Sequence, residues 1–195
     1  MPHQEETLSQ LLTVATTVLS QALGLVQSTV KTEHELTWSS KHIPGSTIGK
    51  HLRHALDHFT LLLDALDADD NSSERLSLSY DVRKRNTPVE TSREAAREAY
   101  ERMIARLEAL NSNTQHARPG RVTLAQPVAL AADTPHTVNV ASSFGRELWF
   151  CSLHAVHHWS MIRVICGELN LSTDEDFGFA PSTLKYHKGE GKSKI

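Results

Sequence analysis

From Leu8 through Leu11, Leu12, Ala15, Val18, Leu19, Ala22 and Val26, apolar side chains recur three and four positions apart. That spacing puts them on one face of a helix and predicts a long amphipathic segment from about residue 5 to 31, antiparallel to its successor. In the linker HELTWSSKHIPGS, Pro44, Gly45 and Ser46 punctuate the chain, and Ser46 or Thr47 suits the N-cap of a second helix running to about Ala68. Its buried stripe is Ile48, Leu52, Ala55, Leu56, Phe59, Leu62, Leu63 and Leu66, and His51, His54 and His58 run along one side of it. The stretch DADDNSSERLSLSYDVRKRNTPVETS reads as a long surface loop with a short extended piece at LSLSY.

Ser92 precedes a third helix, REAAREAYERMIARLEAL, which the Asn/Ser run at 111–114 should end. The β-favouring runs RVTLAQPVAL and HTVNVAS, separated by AADTP, predict a hairpin, and Pro127 keeps its strand short or at an edge. Ser142 or Ser143 can cap a fourth helix from about Phe144 to Glu168, apolar on nearly every side, as expected for a helix packed among others or at a subunit contact. The segment FGFAPSTLKYHKG should fold back over these helices. The expected architecture is all-α, a four-helix bundle with a short β-hairpin in the crossover between helices 3 and 4. Residues 1–184 form one domain in this reading, and 185–195 a flexible basic tail.

Composition fits one ordinary globular unit: 195 residues, 39% apolar and 22% charged, with a net charge of -3 that gives no reason to expect nucleic acid as a partner. Cys151 and Cys166 lie fifteen residues apart in one predicted helix, on the order of 22 Å at about 1.5 Å per residue, too far to bridge. The N-terminal segment carries Glu5 and Glu6 and lacks a basic n-region, and no uninterrupted apolar run approaches a membrane span. The chain therefore reads as cytoplasmic, with no membrane partner. The last residues, Ser193-Lys194-Ile195, differ from the peroxisomal Ser-Lys-Leu address only in the final side chain, and either that destination or a chance ending of a Lys/Gly/Ser tail accounts for them. No internal repeat, Gly-rich phosphate loop, Gly-x-Ser-x-Gly elbow or Cys-x-x-Cys pair occurs.

Chemistry concentrates in histidine. Six of the twelve histidines fall in two of the predicted helices: His51, His54 and His58, then His154, His157 and His158. His154 and His158 are four apart, so on a helix they point about 40° from one another and can grip one ion, with a second helix supplying the rest. Three imidazoles leave coordination positions open, as at a catalytic metal, whereas a closed structural site takes four ligands and often thiolates. The alternative is a set of partly buried rings bonding one another and backbone carbonyls. His157 lies about 60° to 100° round the helix from the pair and reads as a packing, supporting or substrate-side group. Arg83 and Arg85, on one side of the chain if it is extended, could hold an anionic substrate or pair with nearby acids. Trp149 and Trp159 suit packing or a dimer contact, and Cys151, one turn before His154, suits the core or the edge of the site.

The runs STIGKHLRHALDHFTLLL and ELWFCSLHAVHHWSMI together resemble the DinB-like superfamily of metal-binding four-helix bundles, over most of residues 5 to 170. The resemblance implies one ligand from the second helix, best matched by His54, seven residues after Thr47, and a paired set matched by His154 and His158. Periodicity alone does not select His54, since His51 and His58 lie closer to the apolar stripe, so His51, His58 and His157 stay open as alternative or supporting groups. What the resemblance implies is a metal-dependent enzyme acting on a small molecule, by thiol transfer or by hydrolytic or isomerising chemistry, with a zinc, nickel or iron ion and a thiol cosubstrate. The other expectation is a non-catalytic metal-binding or homodimerising helical bundle.

Overall fold

The computed structural model describes residues 2–68, 75–82, 84–115 and 122–187. Helix α1, Pro2–Gly24, ends in a wider π turn at Leu25–Thr29, and a short helix α2, Glu33–Thr37, follows. Thr32 and Glu35 cap α2 reciprocally, a signal inside a linker that its Pro and Gly residues had marked only as a turn. Helix α3, Ile48–Asp67, starts at Thr47, whose side chain accepts the amide of Lys50. Strand β1, Leu76–Leu78, leads through a 3-10 turn at Pro88–Glu90 to α4, Arg93–Gln115. Strands β2, Pro127–Thr134, and β3, His136–Ser143, precede α5, Phe144–Glu168, which Ser143 caps, and α6, Pro181–His187, closes the described chain.

Helix α1 packs on α4 and α5, and α3 packs on α5 and α4, so four long helices share one core. Leu12, Ala15, Leu19, Leu52, Phe59, Leu62, Leu148 and Ile162 are fully buried there. The large polar-tipped aromatics are satisfied where they are buried: Tyr100 donates to the Leu52 carbonyl at 2.9 Å and Trp159 Nε1 to that of Val18 at 3.0 Å. The α1 stretch Glu6–Thr29 is long and apolar enough, by length and composition, to cross a membrane. In this fold its stripe of Leu8, Leu12, Ala15, Leu19 and Ala22 is core surface.

The all-α expectation is corrected by the sheet. Strand β1 pairs parallel with β2, Leu76 opposite Val128, and β2 pairs antiparallel with β3 from Pro127 opposite Ser143 to Thr134 opposite His136. The order β1-β2-β3 is a mixed three-stranded sheet, so the architecture combines α and β and is not a pure four-helix bundle with a hairpin in one crossover. The reason lies in LSL: Leu76 and Leu78 alternate with Ser77 and are buried against α3, which ties a segment expected on a surface loop into the body. Pro127, lacking an amide proton, stands first in its strand, and the AADT stretch expected to separate the strands is itself paired.

A close approach seats the 3-10 turn on α3. A Cβ at Gly49 would lie 2.0 Å from the Glu90 carbonyl oxygen, so only glycine fits there. Glu90, itself buried, accepts the Asn86 amide at 2.9 Å and pairs with buried Arg53 at 2.9 Å, while Arg53 also reaches Asp57 at 3.2 Å. After α5 the chain folds back as expected: Phe177 stacks on Trp159, and Gly178, at φ 79°, turns the backbone across the helix. Part of the expected loop, 69–74, and the tail with Ser193-Lys194-Ile195 lie outside the described residues.

Candidate functional site

Packing α3 against α5 brings both histidine groups together. His54 and His154 are half-buried and meet with their Nε2 atoms 3.2 Å apart, and the Nε2 of His158 lies 3.1 Å from that of His154. His58 is buried against the same pair: its ring centroid is 4.1 Å from that of His154, and its Nδ1 lies 2.9 Å from the His54 carbonyl oxygen. Only Nδ1–H can donate to that carbonyl, so in the neutral ring of His58 the proton is on Nδ1 and the lone pair on Nε2. One donor nitrogen from each of His54, His58 and His154 lies within 4.8 Å of the others. The His158 ring adjoins this triad, with its centroid 4.7 Å from that of His54.

These spacings suit a cation. Four nitrogens held tetrahedrally about 2.0–2.1 Å from one zinc-sized ion stand roughly 3.3–3.4 Å apart, close to the two Nε2 separations here. A ligating imidazole must also be uncharged, and burial does this for His158, driving it down to about 2 with help from its histidine neighbours. Burial, and then His157, lowers His51 to about 4. His51 is buried behind the cluster with Nδ1 2.7 Å from His158 Nδ1, so one proton lies between those rings. His157 is exposed, its centroid 5.1 Å from that of His158 and 6.2 Å from that of His154, beside the cluster rather than in it.

Two residues with no assigned role in the sequence reading build the wall. Tyr80, just beyond β1, stacks on His58 with centroids 4.7 Å apart and planes at 18°, and Phe150 stacks on His154 at 5.4 Å and 26°. Phe150 could have been found as the residue one turn before His154; Tyr80 could not, because its place depends on the unforeseen pairing of β1. The Tyr80 hydroxyl meets Cys151 Sγ at 3.4 Å. Burial holds that hydroxyl protonated far above its ordinary range and pushes the Cys151 thiol up to about 12, so Cys151 is a neutral wall residue. Arg85 is exposed on the connection after β1, and Arg83 lies outside the described residues. Trp159 is core, whereas Trp149 remains partly exposed on α5.

The molecule is thus a mixed α and β domain with a histidine cluster between two helices. No protein-family model matches the chain, and no solved structure matches it. Over 175 residues, 88% of this chain, it is 34% identical to FK506-binding protein 5 of Rhizopus delemar, of which the match covers 36%. The chain therefore spans about a third of that relative's length. This similarity overturns the DinB-like resemblance, and with it the small-molecule, metal-dependent enzyme of that type with thiol-transfer, hydrolytic or isomerising chemistry. The non-catalytic bundle set beside that enzyme fits the relationship no better. The four-helix-bundle and metal-binding character that rested on the resemblance loses that support with it: a helical ligand pair is a local pattern that unrelated helix pairs can share.

Proposed function

We propose that this chain is a module of a peptidyl-prolyl isomerase of the FK506-binding kind, and that its histidine cluster holds a divalent cation there. The isomerase setting rests on the similarity to the fungal FK506-binding protein. The match covers about a third of that relative, so the chain corresponds to one part of such a protein rather than to the whole. The ion site rests on one observation, the convergence of one ring nitrogen each from His54, His58 and His154 within 4.8 Å of one another, with His158 Nε2 3.1 Å from that of His154. His54 and His154 are its shared donors, with His58 and His158 flanking them. A bound ion would act as a Lewis acid toward an oxygen-bearing ligand. Around it, Tyr80 and Phe150 hold two of the rings by stacking, and the His54 carbonyl fixes the tautomer of His58.

Titration calorimetry on untagged protein, with zinc and nickel in turn, tests the site. Saturable binding of one ion per chain that His54→Ala and His154→Ala each abolish supports it, and binding that survives both removes it. A protease-coupled prolyl isomerisation assay with and without FK506 tests the setting. The expected result is no FK506-sensitive turnover by this chain alone, and FK506-inhibited turnover would place the isomerase itself in these residues.

A further inference from the structure

His51 is the one member of the cluster whose position the ion site does not explain. It is buried, makes a 2.7 Å Nδ1 to Nδ1 contact with His158, and its Nε2 is fully buried with no hydrogen-bond partner among the described residues. Neutral rings in that contact share one proton along the Nδ1 to Nδ1 line, and a second proton sits on one of the two Nε2 atoms. When His158 Nε2 carries it, that ring donates to His154 Nε2 at 3.1 Å and has no lone pair for an ion. When His51 Nε2 carries it, the shared proton belongs to His158 Nδ1, and His158 Nε2 faces the cluster as a bare donor. The pair holds two protons and no net charge in both arrangements.

We infer that His51 is a positioning residue: by accepting the Nδ1 proton of His158 it selects the tautomer that turns His158 Nε2 into the third donor beside His54 and His154. This inference rests on the reading that the cluster takes an ion. A ligating imidazole is ordinarily fixed through its other nitrogen by a carboxylate, a backbone carbonyl or water. His58 has the carbonyl of its own helix in that role, and His158, on α5, has the ring of His51 from α3. The second helix thus supplies a ligand and also the acceptor that makes another ligand competent.

The experiment titrates the full chain with zinc and compares wild type, His51→Leu, His51→Gln and His157→Ala. Leu cannot accept the proton, and its affinity should fall about 10- to 100-fold. Gln carries an amide oxygen that accepts, and should stay within a few-fold of wild type, as should the exposed His157→Ala. Long-range proton–nitrogen spectra of labelled wild-type protein should show His158 protonated at Nδ1 when zinc is bound. If His51→Leu fails to fold, these spectra and the glutamine variant still decide. His158 found protonated at Nε2 in the zinc-bound state, or equal affinity for folded His51→Leu, overturns the inference while leaving the ion site standing. Wild-type protein that binds no zinc overturns both.

Discussion

Replacing Gly49 by alanine separates two physical expectations of opposite sign. By helix propensity alone the exchange favours the fold, by at most about 1 kcal/mol and less in the first turn, where Gly49 stands. The structure puts a Cβ there 2.0 Å from the Glu90 carbonyl oxygen, 2.7 Å from its carbonyl carbon and 2.9 Å from its Cα. All three are backbone atoms, so no side chain can swing aside, and the 3-10 turn must move away from α3. Forced overpacking of this kind costs about 1–3 kcal/mol. The turn also carries the carboxylate that holds Arg53, buried to 9% exposure, and losing a buried partner is worth roughly 3–5 kcal/mol when the separation is complete. A shift of an ångström stretches that pair without parting it, so the net destabilisation should be about 2–4 kcal/mol. Urea unfolding followed by far-ultraviolet circular dichroism, with the slope checked against wild type, measures it. A Gly49→Ala protein as stable as wild type, or more so, would refute the close approach and the seating of the turn on α3.

Acid should weaken the fold in a defined window. His51 and His158 are held neutral below their ordinary value of 6.5, chiefly by burial, to about 4 and about 2. The unfolded chain therefore takes up protons that the fold refuses, and ion-free stability should decline as pH drops below about 6.5, ceasing to fall on account of His51 near 4. His51→Gln should flatten that decline in pH-dependent thermal melts; an unchanged profile would contradict it. Glu168 accepts from the Ser40 hydroxyl at 2.6 Å and from the Lys41 and His42 amides at 2.9 and 3.3 Å, and these bonds, the Ser40 hydroxyl first, hold its carboxyl down to about 2. Its contribution is present above about 4.5 and is lost as pH falls toward 2, so Glu168→Gln should lower stability at neutral pH and narrow its difference from wild type in acid.

The helices were legible because their signals are local. Thr47 and Ser143 cap α3 and α5 where short polar residues precede apolar periodicity, and the wheel position of His51 and His58 beside the apolar stripe matches their burial relative to His54. The meeting of His54 with His154 and His158 followed from spacing on two helices that pack together. What was not legible depends on partners distant in sequence. The parallel pairing of Leu76 with Val128 joins positions 52 residues apart, and Tyr80 reaches His58 only because of it. The buried pair of Arg53 and Glu90 reads, in sequence, as two ordinary surface charges. The kinship misled for a related reason, since the histidine pattern belongs to the geometry of two helices and carries no lineage of its own.

The proposed site holds one cation between α3 and α5 on imidazole nitrogens. Crystals grown with zinc and measured on both sides of its absorption edge test this most directly. One anomalous peak about 2.0–2.2 Å from the Nε2 atoms of His54 and His154, with His58 or His158 Nε2 completing the set, is the predicted result. No peak between these rings at zinc concentrations that saturate the solution titration, or a peak held only by surface residues elsewhere, would contradict it.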